Sequence, residues 1–81
     1  MDIQLIQGQF TAKDAIEIIT EMIHVKIKYH ENKINNSSSE EDIKMRETKI
    51  KRLQKELFEC RNNIYEKKGK VKLNAIIQLE I

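Results

Sequence analysis

Thr11–Ile34, TAKDAIEIITEMIHVKIKYHENKI, decides how the rest of the chain has to be arranged. It contains no proline and reads as one helix of about six turns. At about 100° per residue, Ala12, Ala15, Ile16, Ile19, Ile23, Ile27 and Ile34 share one sector of the cylinder. Ile18, Met22, Val25 and Tyr29 share the adjoining sector. Together the apolar positions span about 200°, whereas a surface helix needs little more than about 100°. Lys13, Asp14, Glu17, Thr20, Glu21, His24, Lys28, Glu31 and Asn32 make the solvent strip. Such a helix has two faces to bury. One can meet the rest of its own chain, and the other calls for a second copy.

Signals on both sides of this stretch bound it. Thr11 suits the N-cap, where its hydroxyl accepts from a first-turn amide, and Asp14 completes a short capping box. Before it, Ile3–Phe10 reads as a strand whose alternation slips at Ile6, so an irregularity is expected over Ile6–Gly8. After it, Asn35-Asn36-Ser37-Ser38-Ser39 is the one low-complexity stretch, with asparagines suited to a left-handed helix end and serines suited to caps. Ser37/Glu40, Ser38/Glu41 and Ser39/Asp42 are three overlapping capping-box registers.

The second helix, Glu40–Lys68, carries a narrower seam. Ile43, Ile50, Leu53, Leu57, Cys60 and Ile64 follow coiled-coil spacing, with Arg46 at the one seam position that breaks it. Phe58 and Tyr65 widen the seam. Lys67 and Lys68 suit the negative end of the helix dipole, and Gly69 suits a C-terminal cap. Val71, Leu73, Ala75, Ile77, Leu79 and Ile81 then alternate with mostly polar residues, Ile76 excepted, as in a strand with one buried face.

The resulting fold class is α+β, in the order β-α-α-β. A long antiparallel helical hairpin packs on a two-stranded antiparallel sheet made by the N- and C-terminal segments, each strand along the helix beside it. The 81 residues are expected to form one small domain, 1–81, near the lower limit for folding alone. A lone strand pair is marginal in water and its edges invite pairing. Dimerisation is therefore expected through Ile18, Met22, Val25 and Tyr29, with His30 beside them in the apolar arc.

Chemistry-bearing motifs are sparse. One cysteine excludes an intrachain disulfide, and two histidines with it offer no zinc spacing. Cys60 reads as a small seam residue rather than a nucleophile. His30 reads as a partly buried histidine, hydrogen-bonded across an interface or lying near the hairpin tip, rather than a ligand or pH switch, and Lys26 as a lysine whose stem covers apolar surface while its ammonium reaches water or a carboxylate such as Glu47. Glu21-x-x-His24 has the spacing of helical di-iron ligands but falls on the solvent strip. Gly8 and Gly69 are the only glycines, too few for a phosphate loop. No catalytic, cofactor or metal residues are assigned.

A net charge of +2 with 35% charged residues gives only a slight lean toward acidic partners. No apolar run is long enough for a membrane span, and Met1-Asp2-Ile3-Gln4 lacks a signal-peptide start, so a cytoplasmic protein is expected. The expected role is that of a non-catalytic homodimer serving as a protein–protein interaction or assembly module. The alternative is a dimeric nucleic-acid-binding regulator or antitoxin using the basic face of the second helix, Lys44, Lys51, Arg52 and Lys55.

Overall fold

The computed structural model describes residues 1–66 and 69–81. It contains β1 (Asp2–Thr11), α1 (Ala12–Asn35), α2 (Glu40–Tyr65) and β2 (Lys70–Gln78), with β1 and β2 paired antiparallel. This is the expected order and pairing. The second helix ends at Tyr65, short of the expected Lys68; Lys67 and Lys68 themselves lie outside the described residues.

Local chemistry fixes the helix ends. Thr11 is extended, with φ −63° and ψ 158°, and its Oγ1 accepts from the Asp14 amide at 3.2 Å. Of the three registers in the serine run, Ser39/Asp42 forms, the Ser39 Oγ accepting from the Asp42 amide at 3.3 Å. Asn36 does not close α1 through a left-handed backbone, since its φ is −103°. Its side-chain Nδ2 instead donates to the Asn32 carbonyl at 2.9 Å, satisfying one of the carbonyls a helix end leaves open. Gly69 does not cap α2 either. The helix caps on Glu66, and Gly69 takes its φ of +111° at the entry to β2.

The strand irregularity falls earlier than the glycine suggested. Gln4 pairs with Ile76 and Ile6 with Ala75, so Leu5 has no partner and is a bulge. The Gln4 Nε2 donates to the Asn74 Oδ1 at 2.7 Å and to the Ile6 carbonyl at 2.9 Å beside it. Because side chains alternate, the extra residue inverts the parity of everything before it. Ile3, paired with Ile77, thereby joins Ile6, Gly8 and Phe10 on the face of β2 that carries Val71, Leu73 and Ala75. The opposite face is polar apart from Ile76, with Gln7 against Asn74 and Gln9 against Lys72. A backbone pair between Met1 and Leu79 extends the ladder past the strand end.

Both strands pack on α1 rather than one on each helix. The tightest cluster, Ala15, Ile16 and Ile64, sits where α1, the end of α2 and the sheet converge, and Phe10, Cys60, Val71 and Leu73 close around it. On α1 the Thr20 Oγ1 is buried without a hydrogen-bond partner. Thr20 is therefore not part of the solvent strip. The periodicity misplaced it because a threonine scores as polar wherever it points.

The molecule is not closed on itself. It measures 47 × 32 × 13 Å, and its radius of gyration is 15.3 Å where about 12 Å is usual at this length. Its accessible surface is 6798 Å², against about 5,100 Å² for a folded monomer of 9.6 kDa. Among the described residues no large side chain is fully buried.

Candidate interaction surface

The apolar stripe on α1 begins under the sheet and runs out into the open. Ile18 is half-buried, while Met22, Val25 and Tyr29 are 39%, 68% and 54% exposed. Ile18 and Met22, with Ile6, Leu73 and Ala75 from the strands, line an apolar cavity of about 220 Å³ between α1 and the sheet. Beyond it the helix has no cover. At the matching end of the sheet, Ile3 and Ile77 face the helix side by parity, yet remain 38% and 42% exposed. Four of the five interface candidates thus form one continuous strip.

His30 is not on that strip. It is 5% exposed and occupies the α1–α2 seam one turn from the hairpin tip. Its Nδ1 lies 3.1 Å from Nη1 of Arg46, the seam-breaking residue of α2. An arginine only donates, so Nδ1 accepts and the neutral ring carries its proton on Nε2. That Nε2 is buried with no partner. Burial, then the charges of Arg46, Lys49 and Lys26, push the imidazole below its usual pKa of 6.5. Arg46 in turn donates through Nε to the Asp42 carboxylate at 3.2 Å. A hydrogen bond from Ser37 and the Arg46 guanidinium hold Asp42 below the ordinary aspartate value. The chain Asp42–Arg46–His30 is a polar layer inside an otherwise apolar seam. Such layers fix register more than they add stability.

Tyr29 extends this layer outward. Its ring packs edge-on to His30, and the cations of Lys33 and Arg46 lie 5.7 and 5.8 Å from its centre. Cations over an aromatic face hold the ring in place. Tyr29 is thus a half-exposed aromatic with a fixed orientation, the kind of residue that anchors protein interfaces.

The other candidates separate. Lys44, Lys51 and Lys55 are all exposed along α2. Arg52 lines a pocket with Tyr29 and His30, and its Nε sits 3.5 Å from Glu56. Lys26 is exposed and lines that same pocket. Glu21 and His24 are exposed, and among the described residues no three His, Cys, Asp or Glu side chains are grouped to hold a metal. Cys60 packs against the Ala15–Ile16–Ile64 cluster.

Phe58 and Tyr65 are exposed more than their seam positions suggested, at 67% each. Together with Ile27 and Leu57 they line a groove of about 640 Å³ between the two helices. A wide seam in sequence does not distinguish a buried aromatic from one that overhangs a groove. Among the described residues no helix is long and apolar enough to cross a membrane. No family model, characterised protein or solved structure matches the chain.

Proposed function

We propose that the chain is a non-catalytic cytoplasmic homodimer that serves as a protein–protein interaction or assembly module. The observation that carries this is the surplus of accessible surface, about 1,700 Å² over a closed monomer of this mass. Two copies together expose about 3,400 Å² in surplus, within the range of about 2,000–5,000 Å² that obligate homodimers bury. Burying apolar surface contributes about 25 cal/mol per Å², so a face containing Val25, Met22 and Tyr29 has a strong drive to find cover. The chemistry-bearing residues do not oppose this reading. His30, Arg46 and Asp42 are engaged with one another inside the hairpin, and Cys60 packs in the core.

Sedimentation equilibrium tests it. The expected particle has twice the 9.6 kDa chain mass, with a melting temperature that rises with concentration. Val25→Asp is expected to give a folded monomer. A wild-type chain that stays monomeric and well folded at high concentration overturns the proposal.

A further inference from the structure

The stripe on α1 has an electrical polarity as well as an apolar surface. Between Ala12 and Glu21 the helix carries Asp14, Glu17 and Glu21 against Lys13 alone, a net charge of −2. Between His24 and Ile34 it carries Lys26, Lys28 and Lys33 against Glu31 alone, a net charge of +2 with the histidines neutral. The helix dipole accounts for acidic residues in the first turn and basic residues in the last. It does not account for Glu21 or Lys28, which lie in the middle of the helix, where the dipole no longer selects charge. Glu21 and Lys28 are both exposed and stand seven residues apart, hence on the same flank of the stripe.

We infer that the occupant of the stripe is a second copy of this chain with its α1 laid antiparallel, the two-fold axis crossing beside Val25. Symmetry then brings Glu21 of each copy next to Lys28 of the other, twice per dimer. It also lays the Tyr29 ring of each copy over the Ile18–Met22 turn of the other, at the mouth of the cavity of about 220 Å³ beside the sheet. Tyr29 arrives pre-oriented by Lys33 and Arg46, so little side-chain entropy is lost on docking. A parallel arrangement about the same stripe brings opposite flanks together, so Glu21 meets Lys26 of the other copy but Lys28 meets Lys33, and the attraction is offset by a like-charge pair. The two helix dipoles also oppose in the antiparallel form.

This inference rests on the homodimer proposed above, and charge reversal separates the two. Glu21→Lys and Lys28→Glu are both surface changes, and circular dichroism confirms that each variant folds. Each alone is expected to raise the dimer dissociation constant about tenfold, by turning two attractive pairs into repulsive ones. The double variant Glu21→Lys/Lys28→Glu is expected to recover wild-type association, and an equimolar mixture of the two single variants to form the heterodimer in preference to either homodimer. A dimer whose dissociation constant ignores all three changes overturns the antiparallel arrangement and leaves the homodimer standing. A wild-type chain that does not associate overturns both.

Discussion

Arg46 reaches across the hairpin to place Nη1 3.1 Å from Nδ1 of His30, and so determines which tautomer and which charge state the buried histidine adopts. Protonating Nδ1 removes the acceptor and sets a second cation beside the guanidinium. The folded chain therefore resists a proton that the unfolded chain accepts near pH 6.5. The sign follows: the stabilisation is complete above that pH and is lost as pH falls from there through the lower folded-state value. Melting curves between pH 7.5 and 5 are expected to show a falling midpoint for the wild type and a flatter one for His30→Gln. Asp42 shows the same direction in a separate window, since its lowered value withdraws stability only as pH drops below the ordinary 3.8. An unchanged slope in His30→Gln places the titrating group elsewhere.

Thr20 offers a test of the opposite kind, a substitution that stabilises. Its Oγ1 is buried with nothing to bond to, and a hydroxyl in that position costs about 1–3 kcal/mol of desolvation. Thr20→Val keeps the branch and removes the orphan. Denaturant unfolding is expected to show a gain of about 1 kcal/mol. A loss shows that the hydroxyl finds water or a carbonyl in solution.

Leu57 is one of the buried apolar residues of α2. Leu57→Ala is expected to cost about 2–4 kcal/mol, the lost transfer energy plus whatever cavity the helices do not close. In a chain with so small a core, that loss approaches the whole stability of a domain this size, about 5 kcal/mol. The variant is expected to melt at a clearly lower temperature than the wild type by circular dichroism.

Gly8 has a φ of +147° opposite Leu73, and a methyl group placed on its α-carbon would meet only the Phe10 ring, at 3.9 Å. Space is therefore not the constraint; backbone conformation is. Gly8→Ala is expected to cost about 1–3 kcal/mol through that conformation alone. Thr11→Ala, which removes a cap bond and leaves the backbone unstrained, is expected to cost about 1 kcal/mol. Equal losses from the two variants mean that the strand relaxes around Gly8.

The element order, the antiparallel pairing and the helix starts were legible because each has a local signature: Thr11 and Ser39 as caps, the alternation from Val71 to Ile77, the apolar arc of α1. The misplacements have one physical origin. Polarity alone does not say which way a residue points when its partner lies far along the chain. Thr20 is polar by composition yet its hydroxyl is buried, and His30 lies in the apolar arc of α1 and is bonded inside the hairpin by Arg46. Both strands chose α1 because its arc is broad enough to take α2 and a sheet, which one helix's pattern read in isolation does not reveal. The surface strip Met22–Val25–Tyr29 could be read from the sequence, but its charge polarity becomes meaningful only once the sheet is seen to leave that half of the helix bare.

Leu5 gives β1 a spare residue. Since Ile3, Gln4 and Ile6 already oppose Ile77, Ile76 and Ala75 in unbroken succession, excising Leu5 leaves every remaining pairing in phase. β2 has no such slack: excising Lys72 would throw Val71 out of phase with Leu73 and turn half of its apolar residues toward water. Tolerance to shortening is therefore lopsided, and a scan of single-residue deletions should find one permissive notch in the first strand and none in the last.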